Sequence, residues 1–284
     1  MMKIGLVLEG GASRGVFTAG VLDYLMEQDV EFSYVIGVSA GACNAANFVS
    51  GQRGRSRRCM IHADKQYNYF GFRTFLRTRY LFDMKMVFEE MPNRVFPFDY
   101  DAYFANHTRR EYVATNCLTG KPDYLTDRGQ DRDYFIHLLE ASSAMPGAAP
   151  VVDVAGVPYV DGGLTDSIPV RRALAMGCDK VVVIETRGQN FRMKPNKGAR
   201  VIARMYRKYP ILAQRLKERP RMYNRTLALI RKLEQQGRAF VFRPRMPEVK
   251  RTEMNYHTLM RFYAHGYQEG KRLYPALKEF MADS

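Results

Sequence analysis

The sequence predicts an α/β protein built on a mainly parallel central sheet and continued by a mainly helical, basic C-terminal region. Three observations carry this. Two strand, glycine-turn and helix units follow one another in the first fifty residues, "KIGLVLEGGASRGVFTAGVLDYLMEQD" and "FSYVIGVSAGACNAANFVSG". A buried apolar strand, "KVVVIETR", recurs later in the chain. The net charge of +15 is regional: Arg187 to Arg251 is crowded with Lys and Arg, and its only acidic residues are Glu218, Glu234 and Glu248.

With 284 residues, 46% of them apolar and 26% charged, the chain can bury a large core. No apolar run approaches the roughly 18 residues of a membrane-spanning helix. "IGLVL" after Lys3 is too short for a signal-peptide core, so the expected location is the cytoplasm. Cys43, Cys59, Cys117 and Cys178 stand far apart with no CxxC pair, which points to buried free thiols rather than a zinc site or disulfides.

In chain order, "IGLVL" reads as a strand that stops at "EGGASRG", and the helix behind it has apolar Val16, Ala19, Val21, Leu22 and Leu25 at helical spacing. Phe32 to Ile36 is the next strand, followed by the turn around Ser39 and an alanine-rich helix. From Gly51 to about Thr108 the Met, Phe and Tyr residues are spaced helically, as in an insertion over the sheet edge. "REYVATNCLTGKPDYL" is a strand, a Gly-Lys-Pro turn and a strand; "DYFIHLLEASSAM" is a helix stopped by Pro146 and Gly147. "VPYVDGG" is a short strand into a tight turn, "SIPVRRALAMG" a helix ending at Gly177, and the α/β part closes near Arg187. Two basic helical stretches broken at Pro220 follow, then a stop at Gly237, the strand "AFVFRP", and a last helix from about Glu253 to Met281 interrupted at Pro275.

Chemistry concentrates at "GVSAG". A serine on a sharp strand-to-helix turn lifts its hydroxyl above the sheet, and Gly37 and Gly41 stand at minus two and plus two, where side chains would collide with backbone. The helix behind Ser39 points amides and a positive dipole end at that oxygen. Composition alone supplies a G-x-S-x-G in about one chain in ten of this length, so the placement at a strand-turn-helix junction is what singles it out. The Gly10, Gly11 and Ala12 amides of the first turn offer oxyanion donors. Gly10, Ala12 and Gly15 also fit a dinucleotide-type G-x-A-x-x-G, but the second strand ends in Gly-Val-Ser rather than in an acidic residue. A base is required as well. His62, His107, His137, His257 and His265 show no spacing suited to a triad or a metal. Asp161 in "YVDGG" ends an apolar strand, and burial beside Ser39 would raise its pKa into a useful range.

"EGGASRG", "GVSAG", "ASSAMPGAAP" and "VDGG" with "SIPV", in this order, resemble the patatin-like phospholipases over about Lys3 to Arg187. The resemblance implies a three-layer α/β/α fold and a cofactor-free, metal-free Ser-Asp dyad. Ser39 would be the nucleophile, Asp161 its base, and Gly10, Gly11 and Ala12 the oxyanion loop with Arg14 beside it. Gly15, Gly37, Gly41, Gly162 and Gly163 are the motif glycines. Glu9 and Ala12 depart from the family's glycines. The implied organisation is a hydrolase domain over residues 1–187, with 51–108 as a helical insertion over the active site, and a basic, mainly helical region over 188–284. Tyr67, Phe70, Phe72, Phe75, Phe82, Met86 and Phe88 are the candidates for an acyl pocket.

The basic helices, with Arg200, Arg204, Arg207, Lys208, Arg215, Lys217, Arg231 and Lys232, suit an anionic membrane surface through the 187–251 segment, peripheral on the inner face. Nucleic acid is the less favoured partner of the same charge pattern. The expected activity is hydrolysis of phospholipid or lysophospholipid acyl esters. The rival reading is a non-catalytic lipid- or nucleic-acid-binding protein on the same scaffold.

Overall fold

The computed structural model describes residues 2–195 and 198–282; the side chains of residues 199–201, including that of Arg200, lie outside it. Strands β1 (Ile4–Leu8) and β2 (Tyr34–Val38) are buried along their whole length and pair in parallel, with α1 (Gly15–Glu27) returning the chain between them. After α2 (Ala40–Val49) comes the insertion, helical as the sequence predicts: α3 (Arg55–Met60), α4 (Phe72–Thr78), a π-helical stretch over Met86–Val95 and α5 (Tyr100–Ala105). Next come β3 (Arg109–Asn116), β4 (Pro122–Leu125), α6 (Arg132–Ser143), β5 (Val152–Val154), β6 (Val157–Asp161), α7 (Val170–Ala175) and β7 (Lys180–Ile184). The chain finishes with α8 (Ala199–Met205), α9 (Pro210–Gln235), β8 (Ala239–Phe242) and α10 (Tyr256–Ala282).

The sheet order is β5-β6-β3-β2-β1-β7-β8, with β4 also paired to β3. The run from β3 to β8 is parallel, and β4, β5 and β6 are antiparallel at one end. Side chains alternate across the strands and so build the two larger cores, beside a smaller cluster of Cys117, Val160, Leu164, Tyr206, Leu212 and Leu216. Leu6, Leu8 and Ile184 pack under Phe17 and Leu25 of α1, Phe135 of α6 and Phe262 of α10. Val7, Ile36 and Val183 pack under Val170 of α7 and Tyr223, Leu227 and Ile230 of α9. These are three layers, α/β/α.

Three expectations about the C-terminal region are corrected. The sheet does not close at Arg187: β8 extends it in parallel with β7, Val181 opposite Ala239 through Ile184 opposite Phe242. Pro220 does not break a helix but lies inside α9. A mid-helix proline costs about 3 kcal/mol. Against that stand six large apolar side chains of α9, from Leu212 to Leu233, each stabilising by about 1.5–3 kcal/mol on burial, so packing keeps the helix continuous. The break falls instead at Tyr209, with Pro210 starting α9 where its missing amide is of no consequence.

Pro275 likewise sits inside a continuous α10, on its exposed side, where solvent satisfies the carbonyl left without a donor one turn back. Pro275→Ala is therefore expected to raise the melting temperature, recovering part of the ~3 kcal/mol penalty. An unchanged or lower transition in scanning calorimetry contradicts this account of α10.

Candidate active site

Ser39 links β2 to α2 at φ 55° and ψ −124°, a left-handed conformation that a non-glycine residue adopts only under constraint. The constraint is visible. The Ser39 amide donates to Ser142 Oγ at 3.0 Å, and Ser142 Oγ donates to the Val113 carbonyl at 2.7 Å, tying the turn to α6 and β3. Ser142 belongs to the "ASSAMPG" stretch, to which sequence reading assigned no role. A Cβ on Gly41 would lie 2.5 Å from the Leu8 carbonyl oxygen, and one on Gly37 2.4 Å from the Gly41 oxygen, so both flanking glycines are sterically required. Gly15, the first residue of α1, lies against the Cβ of Ala40.

Asp161 ends β6 and is only 5% exposed; Ser39 is 7% exposed. The Ser39 hydroxyl is a neighbour of the Asp161 carboxyl and favours its charged form. The Gly163 amide donates to Asp161 Oδ1 at 2.7 Å, and the Thr115 hydroxyl holds the Asp161 carbonyl at 2.9 Å. Burial pushes the Asp161 carboxyl above the ordinary carboxylate range. The neighbouring Ser39 hydroxyl, the Gly163 amide and the charges of Arg251 and Arg219 pull it part of the way back. Gly162 must lack a side chain because a Cβ there would come within 2.1 Å of the Val113 oxygen.

The first turn is divided in its use. The Gly10 amide donates to the Ser167 carbonyl at 3.2 Å, so this expected oxyanion donor is committed to holding the loop. Gly11 and Ala12 form the start of the turn, Ala12 at φ 49°, and Ala12 lines the same cavity as Ser39. Glu9, the departure from the family's glycine, is buried and accepts from the Thr186 amide and from the Tyr223 hydroxyl of α9. A carboxylate thus pins the loop to the C-terminal region. Arg14 is buried too. Burial first, then the neighbouring Arg187, pushes its guanidinium down to about 10.

Ser39 opens on an apolar cavity of about 110 Å³, walled by Phe70, Phe82 and Phe88 of the insertion and by Phe135 and Leu139 of α6. Three of the seven expected pocket residues are therefore in place. Phe72 and Phe75 are not: they are 70% and 40% exposed on α4. Tyr67, in a short turn over Lys65–Tyr67, lies outside the cavity wall, as does Met86, because the π-helical stretch turns Val87 and Phe88 inward instead. Cys43 and Cys59 line the same cavity as free thiols, and burial pushes the Cys43 thiol up to about 11, which keeps it protonated.

Part of the basic segment is used within the molecule, while other members, such as Arg207, Lys208, Lys217 and Arg221, are exposed. Arg187 pairs with Glu248, Arg215 with Glu218, and Arg243 with both Glu185 and Glu234. Arg219 donates to the Gly163 carbonyl and Arg231 to the Gln189 carbonyl. Among the described residues, no helix is long and apolar enough to cross a membrane.

The patatin-like phospholipase family model matches residues 6–174, and a domain of unknown function, DUF6363, matches residues 209–282. The uncharacterized protein YjjU of Escherichia coli (strain K12) is 32% identical over 188 residues, covering 65% of this chain and 52% of YjjU. The lysophospholipase nte1 of Aspergillus terreus is 23% identical over 189 residues, 64% of this chain but 12% of that protein. The chain thus matches about half the length of the first relative and about an eighth of the second. VipD from Legionella pneumophila shares the fold at a TM-score of 0.52 and 15% identity, with 97% of this chain and 67% of VipD covered. Because the family match spans more than half of the chain and includes both Ser39 and Asp161, this protein belongs to the patatin-like phospholipase family.

Proposed function

We propose that this protein is a serine hydrolase of phospholipid or lysophospholipid acyl esters, working through a Ser39–Asp161 dyad. The observation that carries the reading is the placement of the Ser39 hydroxyl beside the buried Asp161 carboxyl, at a strained turn next to an apolar cavity. Asp161 takes the proton as Ser39 Oγ attacks the acyl carbonyl. The oxyanion meets the amides of Gly11 and Ala12 and the positive N-terminal end of α2, while Gly10 holds the loop in place. Asp161 then returns the proton to the leaving alkoxide. Water, activated by the same carboxylate, releases the acyl group from Ser39.

Lipid as substrate is supported by the aromatic cavity and by the lysophospholipases among the relatives. Adsorption to an anionic leaflet through part of the basic segment is supported by the outer face of α9. There Lys217, Arg221, Arg225 and Lys232 are exposed and make no ion pair among the described residues. Each such residue contributes about 1 kcal/mol near an anionic surface.

A fluorophosphonate probe is expected to label the native protein at Ser39 and to leave Ser39→Ala unlabelled, with peptide mass spectrometry locating the adduct. No adduct on the folded native protein would favour the non-catalytic, lipid-binding reading.

A further inference from the structure

The segment outside the family match reaches the reacting centre. Arg219 of α9 and Arg251, between β8 and α10, line a second cavity of about 200 Å³ whose wall includes Asp161 and Gly163. The two cavities share Phe70, Met145 and Arg251. Ser39 therefore opens on the apolar side, Asp161 on the other, and the Arg251 guanidinium stands at the divide. Its backbone carbonyl meanwhile accepts from the Ser13 amide at 3.2 Å and the Ser13 hydroxyl at 2.9 Å, which holds the Arg251 main chain against the oxyanion turn.

An ester with its carbonyl at Ser39 has two arms that leave the carbonyl in different directions. The acyl arm suits the apolar cavity, and the alcohol arm then runs into the second one.

That second cavity is cationic. Neither Arg219 nor Arg251 makes an ion pair among the described residues. Arg219 is fixed by the Gly163 carbonyl, with a terminal nitrogen 3.5 Å from Ser167 Oγ. Arg251 is exposed, and its guanidinium meets the Met145 sulfur at 3.4 Å. Behind them Arg14 is buried with its Nε unpartnered among the described residues. The nearby carboxylates offset part of this charge but form no ion pair with it among the described residues: Glu9 accepts from Thr186 and Tyr223, and Asp161 from Gly163. Arg14 and Arg219 are both pushed down to about 10, by burial first and by neighbouring guanidinium groups next. The missing component is an anion. A guanidinium fork meets a phosphate in a bidentate manner, and a guanidinium sheds water more readily than an ammonium.

We propose that Arg251, backed by Arg219, forms an anion subsite for the alcohol arm of the substrate, so that the enzyme selects acyl esters whose alcohol carries a phosphate, anionic lysophospholipids, over uncharged esters of the same acyl chain. This rests on the hydrolase reading above, and it makes the C-terminal region a contributor to specificity.

The test compares octanoyl lysophosphatidic acid with octanoylglycerol below their micellar concentrations, in the native protein, Arg251→Gln and Arg251→Lys. The native kcat/KM is expected to favour the phosphate ester at least tenfold. Arg251→Gln is expected to cut that ratio tenfold or more, chiefly through KM for the phosphate ester, and Arg251→Lys to keep most of it. A native ratio near one, or a ratio untouched by Arg251→Gln, overturns the subsite. Competitive inhibition of octanoylglycerol turnover by inorganic phosphate, without a preference for the phosphate ester, marks a free-phosphate site and overturns the head-group assignment. Calorimetric binding of octanoyl lysophosphatidic acid to Ser39→Ala, with and without Arg251→Gln, reads the subsite without turnover. Affinity unaffected by Arg251→Gln there overturns it, even should the hydrolase reading itself fail on the fluorophosphonate probe.

Discussion

Ser39→Ala and Asp161→Asn are each expected to lower kcat/KM for a soluble medium-chain ester by about 10⁴-fold, the size of effect seen when a nucleophile or its base is removed from a serine hydrolase. Asp161 is the carboxyl group placed beside the Ser39 hydroxyl, and among the described residues no histidine lines either cavity there. Asparagine keeps the shape of Asp161 and can hold the serine, but it cannot take the proton. The two variants should differ in stability. The folded-state pKa of Asp161 is raised, so its contribution to stability is fully present below the unfolded carboxyl value of about 4 and is lost as pH rises through the folded value. At neutral pH the buried charge is a burden that Asp161→Asn removes, and this variant should melt at or above the native temperature. The same shift sets the pH profile: the base works ionised, so kcat/KM falls as pH drops through a pKa above the ordinary carboxylate range. Native-level turnover by Asp161→Asn, or an acid limb at or below pH 4, would sink the dyad.

Gly20→Ala is expected to lower the melting temperature by about 6 °C or more, which corresponds to about 3 kcal/mol in a domain of this size. The reason is the crossing of α1 and α10, where backbone meets backbone. A Cβ on Gly20 would lie 2.1 Å from the Tyr263 carbonyl oxygen and 2.7 Å from the Tyr267 amide, and one on Gly266 would lie 2.1 Å from the Phe17 oxygen. No flexible side chain can swing aside there, so the helices must separate, and the Phe17–Phe262 contact and the hydrogen bond from the Tyr263 hydroxyl to Asp23 go with them. Since α1 begins directly behind the oxyanion turn, turnover should fall alongside stability. A calorimetric transition indistinguishable from that of the native protein would mean that α10 is loosely attached, contrary to the packing seen.

The elements legible in the sequence are those governed by local physics. The β1-α1 and β2-α2 units, the strand into "VDGG" and the stop at Gly177 follow from apolar runs, glycine turns and helical spacing, all of which act within a few residues. The errors fall where distant contacts override local preference. Pro220 and Pro275 are helix breakers by propensity, but α9 and α10 continue through them, held by the apolar faces they bury. The three-residue β5 carries too short a pattern to be read and exists because β6 lies beside it. Charge counting marked Arg187 to Arg251 as basic but could not separate side chains left on the surface, such as Lys217 and Arg221, from those drawn inside. In the fold, Arg219 supports the Asp161 turn and Arg243 bridges two carboxylates, since a guanidinium can be buried once its donors are satisfied.

For the site, spacing along the chain was enough to mark Ser39 and its two glycines, because a sharp strand-to-helix turn imposes its steric demands on immediate neighbours. That Asp161 comes to lie near this hydroxyl, that Ser142 braces the turn, that Glu9 is tied to Tyr223, and that Arg251 stands between two cavities were decided by tertiary structure alone. Each joins residues far apart in the chain, and such pairings are set by how the sheet and its two helical layers close on one another, which no local pattern encodes.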